Sequence, residues 1–153
     1  MSIYSYREFY YPNLLDSEHR VTSPPSREYN CIAYAVGVVD MRWEPSDDPT
    51  DAYWPPDIPR EDTLDSYVSL FTSLGYDPCN DGQFEPGFDK VAIYVDSSGM
   101  FAHVAKQQPD GRRTSKMGDL EDIEHSSAEI VEGRWNGRVN QFLRRRLGDT
   151  PRI

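Results

Sequence analysis

Two tight turns divide the region 90–117 into three short apolar strands, and this pattern constrains the fold more than any other. The turns are Asp-Ser-Ser-Gly at 96–99 and Gln-Pro-Asp-Gly at 108–111, and strands are expected at 90–95, 100–107 and 112–117. Pro-Asp-Gly suits a type I turn that is closed by a glycine bulge. Strands joined by such short turns run antiparallel, so the sequence predicts a three-stranded meander.

Helical patterns flank this meander. The clearest helix covers 60–74, where apolar residues recur every three or four positions and Gly75 follows as the terminating residue. The apolar run 32–39 also has helical spacing, although its β-branched residues allow a strand instead. Asp119 is expected to cap a third helix that reaches about Val131. Helices that are segregated from an antiparallel sheet predict the α+β class.

One domain is expected to span 1–153, with the remaining segments as parts of it. The N-terminal segment 1–28 has no regular pattern, and 138–153 is interpreted as a basic C-terminal tail. The segment 41–59 contains five prolines and two tryptophans, which predicts a long aromatic loop.

The charge balance excludes two classes of partner. The chain has 26 acidic and 16 basic residues, a net charge of -10, and all of the acidic excess lies before Lys106. Nucleic-acid backbones and anionic membrane surfaces attract positively charged proteins, so neither is expected as a partner. An acidic surface favours a basic peptide or protein instead.

No targeting segment is recognised in the sequence. The N-terminus lacks a basic stretch followed by an apolar one, and the run 32–39 is too short to span a bilayer. We therefore expect a cytoplasmic protein in which Cys31 and Cys79 are reduced thiols. No cofactor or metal ion is expected, since the closely paired spacing of metal-binding cysteines and histidines is absent.

Cys31 is the first candidate for chemistry. If a helix begins near Asn30, the thiol lies at the positive end of the helix dipole, which favours the nucleophilic thiolate. The alternative is a buried structural cysteine that behaves as a small hydrophobic side chain. If Cys31 is the nucleophile, its backbone N–H and a donor from either Asn30 or Tyr29 would form the oxyanion hole. Trp43 and Trp54 would then line the substrate cleft.

His103 is the second candidate, because an imidazole inside an apolar strand needs a partner. It is either a core histidine that a backbone carbonyl satisfies or a general base that faces Cys31. The presence of both residues favours a catalytic pair, with Cys31 as nucleophile and His103 as base. The group that orients the imidazole stays open among Ser115, Gln107 and His125. With a glycine bulge in the second turn, Ser115 becomes a diagonal neighbour of His103.

Several motifs resemble, in order, those of a family of uncharacterised, mostly bacterial domains. They are Asn-Cys-Ile-Ala-Tyr-Ala at 30–35, Trp-Pro-Pro at 54–56, Leu-Gly-Tyr-Asp-Pro-Cys at 74–79, Lys-Val-Ala-Ile-Tyr at 90–94, and His-Val-Ala-Lys-Gln at 103–107 followed by Asp-Gly at 110–111 and Thr-Ser-Lys-Met-Gly at 114–118. That family is similar to a compact papain-like fold of the cell-wall amidase and toxin type. The resemblance implies a Cys-bearing helix packed on a small antiparallel sheet, with Cys31 as nucleophile and His103 as base.

Two functions follow as expectations. The first is a papain-like cysteine hydrolase or acyltransferase that attacks an amide or ester carbonyl through Cys31 and His103. The second is a non-enzymatic interaction or immunity-type protein, which would bind a basic protein partner through an acidic surface and the aromatic loop.

Overall fold

A single antiparallel sheet of seven strands organises the part of the chain that the structure describes. The structure is a computed structural model, and it describes residues 11–14, 19–46 and 52–148. The strand order across the sheet is β1-β6-β5-β4-β3-β7-β2. The strands are β1 (His19–Ser23), β2 (Asp77–Cys79), β3 (Phe88–Val95), β4 (Phe101–Gln107), β5 (Arg113–Lys116), β6 (Asp122–His125) and β7 (Arg138–Arg146).

Helices contribute little to the described part of the chain, which is mainly one antiparallel sheet, so the predicted α+β, papain-like class is wrong. Within the described ranges the α-helices are α1 (Cys31–Ala35) and α2 (Leu64–Ser73), and short 3-10 helices cover Pro12–Leu14 and Ala128–Val131. The helix expected from Asp119 to Val131 is instead β6 followed by the second 3-10 helix. None of the helices in the described ranges is long and apolar enough to cross a membrane.

The predicted meander is confirmed as β3, β4 and β5. Gln108 N–H donates to the Arg112 carbonyl at 2.7 Å, and Gly111 adopts a φ of 95°, so the second turn is the glycine-bulge turn. The first turn closes at Gly99, whose N–H donates to the Asp96 carbonyl. Pairing of Lys106 with Thr114 then continues the register that the turn imposes.

Two segments for which the sequence predicts no strand form strands. Residues 138–146, interpreted as part of a basic tail, form β7 between β3 and β2 in the sheet. Residues 19–23, in the segment expected to be irregular, form the edge strand β1 beside β6. The parts of these two segments at 1–10, 15–18 and 149–153 lie outside the described residues.

The helices α1 and α2 both begin at a side-chain cap. Asn30 Oδ1 accepts from the Ala33 N–H at the start of α1, as the sequence predicts. Thr63 caps α2 in the same way through the Ser66 N–H, and Gly75 follows the last turn with a φ of 103°. The Pro-rich loop before α2 is irregular in its described part, as expected from its prolines.

The two faces of the sheet bury separate cores. On the helix-side face, the side chains of Val91, Ile93, Val104 and Leu143 pack against both α-helices. On the opposite face, Ala92, Tyr94, Ala105, Met117 and Ile123 pack against the 3-10 helix Ala128–Val131. Successive residues of β3 and β4 alternate between the two cores, as a strand requires.

A bulge interrupts this alternation at the start of β4. Tyr94 pairs with His103, but the next residue of β3, Val95, pairs with Phe101, which leaves Ala102 without an opposite residue. Phe101 consequently lies on the helix-side face, where its ring stacks on Tyr67 of α2. His103 and Ala105 remain on the opposite face.

Candidate functional site

An open groove lies on the helix-side face, at the end of the sheet where α1 and α2 both begin. We call it the Cys31 groove; it has a volume of about 410 Å³. Its walls come from the first turn of α1, the segment 42–46, the start of α2, the first residue of β4 and the turn 118–119. Segments distant in sequence therefore meet around one concave surface, which is the usual setting of a ligand site.

Acidic side chains dominate the charge of the Cys31 groove. Its lining includes the carboxylates of Glu44, Asp62 and Asp119, and one guanidinium, that of Arg42. Arg42 donates to Glu44 at 2.7 Å and to Asp119 at 3.2 Å, so it neutralises part of this charge. Asp62 is exposed and accepts from the Tyr67 hydroxyl at 2.7 Å.

Aromatic rings form the second component of the groove. The rings of Tyr67 and Phe101 are stacked, with centroids 3.8 Å apart and an angle of 13° between their planes. Trp54 supports this pair from the core, edge-on to Tyr67 at 5.6 Å. Because Tyr67 contacts both Phe101 and Asp62, an aromatic surface and a carboxylate lie within one side-chain length of each other.

Cys31 is the first residue of α1 and lies in the groove, half-buried. Burial raises the pKa of the Cys31 thiol to about 11, against hydrogen bonds from backbone groups of Val104 and Ile32 that lower it. The helix α1 has only five residues, so its dipole offers little to offset the cost of burying a thiolate. The thiol is consequently neutral at pH 7.

Asn30 and Tyr29 are occupied by structural contacts. Asn30 Oδ1 accepts from both the Ala33 and Trp43 N–H groups, while Asn30 Nδ2 donates to the Trp43 carbonyl at 2.8 Å. The Tyr29 hydroxyl donates to the buried carboxylate of Asp122. Neither side chain is placed as the free oxyanion-hole donor that the sequence suggested.

The two tryptophans of the aromatic loop have different positions. The Trp43 ring packs edge-on against Tyr53, with centroids 4.7 Å apart, beside the groove wall. Trp54 is buried in the helix-side core and its indole N–H donates to the Pro59 carbonyl. Trp54 therefore supports the groove from behind and does not line it.

His103 lies on the opposite face of the sheet from Cys31. Its ring packs on Tyr94 with centroids 5.0 Å apart, whereas the neighbouring Val104 shares the helix-side core with α1. The β-sheet backbone thus separates the imidazole from the Cys31 groove. The predicted Cys–His pair is not brought together.

A buried chain of hydrogen bonds surrounds His103 instead. His103 Nε2 lies 3.2 Å from Ser115 Oγ, which lies 2.8 Å from His125 Nε2, and His125 Nδ1 lies 2.8 Å from the Ser127 carbonyl. The structure thus brings together Ser115, the predicted diagonal neighbour, with His125, the third candidate. Gln107 shares this face, but its amide donates to the Gly82 carbonyl at 2.9 Å.

The direction of these hydrogen bonds follows from their last acceptor, the Ser127 carbonyl. A carbonyl only accepts, so the neutral His125 ring carries its proton on Nδ1 and accepts at Nε2 from the Ser115 hydroxyl. Ser115 in turn accepts from the protonated Nε2 of His103. Burial lowers the pKa of His103 to about 3 and that of His125 to about 4, so both rings are neutral at pH 7.

Sequence reasoning missed most of the residues that line the Cys31 groove. Arg42, Asp62, Tyr67 and Asp119 are polar residues of a loop, a helix start and a turn, and only the folded chain brings them together. Asp62 lies in the acidic first turn of the helix predicted at 60–74, and this turn was an available signal.

Comparison with known families identifies the chain at the level of its domain. A family model described as a domain of unknown function, DUF7689, matches residues 20–144. The chain belongs to this family. No curated protein and no solved structure matches the chain. The matched residues of this DUF7689 domain include all seven strands in part or whole and every residue that lines the Cys31 groove.

Proposed function

We propose that this DUF7689 domain is an interaction module that binds a basic segment of another protein in the Cys31 groove. The observation that carries the proposal is the lining of the groove, where three carboxylates and one guanidinium surround an aromatic surface. The net charge of -10 on the whole chain would steer a positively charged partner towards it.

Exposed apolar side chains beside the groove support an interface rather than a solvent-facing loop. Tyr53 is 39% exposed and Met41 is 48% exposed. The Tyr53 backbone bonds to both Arg42 and Glu44, so Tyr53 lies directly beside the segment 42–46 that forms the groove wall. Exposed tyrosine and methionine near a concave polar site are typical of the central contacts of protein interfaces.

The thiol and the histidine support binding over catalysis. A cysteine hydrolase needs a thiolate and a base within hydrogen-bond reach of it. In this fold burial raises the pKa of Cys31, and His103 contacts Tyr94 and Ser115 across the sheet. The groove retains its shape and charge without any contribution from His103.

Isothermal titration calorimetry with a defined peptide tests the proposal. The probe is an octapeptide with four basic residues, compared with the same peptide carrying glutamate at the basic positions. We expect the basic peptide alone to bind the full chain, and Asp62→Lys to weaken its binding about tenfold. Asp57→Lys is the matched control, since Asp57 is exposed and does not line the groove.

Two outcomes would contradict the proposal. Absence of binding heat with the basic peptide, together with absence of amide chemical-shift changes in an NMR titration with the same peptide, would mean that the groove does not recognise basic segments. Equal weakening by Asp62→Lys and Asp57→Lys would mean that the peptide responds to net charge alone, without using the groove.

A further inference from the structure

We infer that the Cys31 groove selects an arginine side chain of its partner over a lysine, by stacking the guanidinium on Phe101 and pairing it with Asp62. This inference rests on the proposed function and specifies the side chain that the groove recognises. Three sets of contacts support it. The Phe101 ring stacks on Tyr67, the Tyr67 hydroxyl donates to Asp62, and the Arg42 guanidinium binds the other groove carboxylates.

Arg42 determines which carboxylate is available to a partner. Its guanidinium already binds Glu44 and Asp119, which are both about half-exposed at their side chains. Asp62 is bonded through Oδ1 to the Tyr67 hydroxyl, which fixes the orientation of its carboxylate. Of the three groove carboxylates, Asp62 is therefore the one that Arg42 does not pair with, and it is the acidic partner that the groove offers to a cation.

The ring of Phe101 determines which cation fits best. It is half-buried, supported behind by Tyr67, and lines the groove. A planar guanidinium can lie flat on an aromatic face while its N–H groups bond to a carboxylate at its edge. A lysine ammonium is a compact and strongly hydrated charge, so it gains less from the ring and keeps more of its water.

The same arrangement occurs inside this fold. The guanidinium of Arg145 lies over the Tyr76 ring at 4.6 Å and pairs with the Asp89 carboxylate at 2.9 Å. Arg145 thus contacts an aromatic face and a carboxylate, the two kinds of group that the groove offers, and it also donates to the Leu74 carbonyl. The Cys31 groove would hold a partner's arginine in the same way.

Peptide titration on the full chain tests this inference. The probes are two octapeptides of equal charge, one with arginine and one with lysine at all four basic positions. We expect the arginine peptide to bind about fivefold more tightly. Phe101→Leu should bring the two affinities to within about twofold while basic peptides still bind, because the carboxylates remain.

Phe84→Leu is the matched control, because Phe84 is 47% exposed and lies outside the groove lining. The comparison of the two peptides on the unaltered chain needs no variant, so it tests the preference for arginine even if Phe101→Leu does not fold. Equal affinities for arginine and lysine would overturn the inference but leave the proposed function standing. If neither peptide bound, the proposed function itself would fail.

Discussion

Acid should destabilise this domain through His103 and His125, because the folded protein holds both rings neutral. Both are buried, and burial lowers the pKa of His103 to about 3 and of His125 to about 4. An unfolded histidine has a pKa near 6.5, so below that pH the unfolded chain binds protons that the folded chain does not. The stabilising contribution of each ring is complete above pH 6.5 and is lost as the pH falls towards the folded value.

The size of the effect follows from the linkage relation. Between pH 7 and pH 5, each buried neutral histidine should lower the free energy of unfolding by about 2 kcal/mol, or about 4 kcal/mol for both. This loss is a large part of the stability of an ordinary domain, about 5–15 kcal/mol. Arg113 opposes protonation of His125 as well, since its nearby charge also lowers the pKa of that ring.

Urea denaturation at pH 7, 6 and 5, followed by tryptophan fluorescence, measures this loss. His103→Gln and His125→Gln should each reduce the loss between pH 7 and pH 5 by about half, whatever their effect on stability at pH 7. Ser115→Ala is the control that separates burial from hydrogen bonding. It removes the hydroxyl between the two rings but keeps both rings buried, so it should lower stability at every pH and leave the pH-dependent loss unchanged.

The reasoning would be refuted by an unaltered chain that loses less than about 1 kcal/mol over this range. It would equally be refuted if both glutamine variants kept the full loss, since carboxylates would then account for the acid sensitivity. Carboxylates are the same in every variant, so their contribution cancels in the comparison.

Two further predictions concern the start of α1. Asn30→Ala should lower the free energy of unfolding by about 2 kcal/mol, because Asn30 caps α1 and bonds both backbone groups of Trp43. Urea denaturation measures this change, and a loss below about 0.5 kcal/mol would contradict the role of Asn30. In a Cys79→Ser background, iodoacetamide should label Cys31 slowly at pH 7 and much faster above pH 10, because burial raises the pKa of its thiol to about 11. Rapid labelling at pH 7, detected by mass spectrometry, would instead indicate an activated thiolate.

The meander and the helix caps could be predicted because their causes are local. Gly99 and Gly111 are needed at positive φ in their turns, and Asn30 and Gly75 mark helix ends through their own backbone and side-chain preferences. Each of these signals lies within a few residues of the structure that it specifies. The register of β4 against β5 follows from the second turn for the same reason.

The strands β6 and β7 could not be predicted because their charges are satisfied by distant partners. Asp122 of β6 accepts from the hydroxyl of Tyr29, far earlier in the chain. In β7, Arg144 pairs with Glu85 and Arg145 with Asp89. The local pattern therefore indicates a polar helix or a tail, whereas the folded chain supplies the distant partners that allow these charges in strands.

Cys31 and His103, the candidate catalytic pair, lie on opposite faces of the sheet, and a single sequence does not reveal on which face of β4 His103 lies. Alternation along the strand fixes only that His103 and Val104 face opposite ways. The choice between the two faces is made by packing: Val104 joins Val91 and Ile93 beneath α1, so His103 must face the other core. Moving His103 to the side of Cys31 would require a one-residue shift of β4, which would exchange the faces of all its side chains. No side-chain rotation can substitute for that shift, and the same alternation that excludes His103 from the Cys31 groove places it beside Ser115.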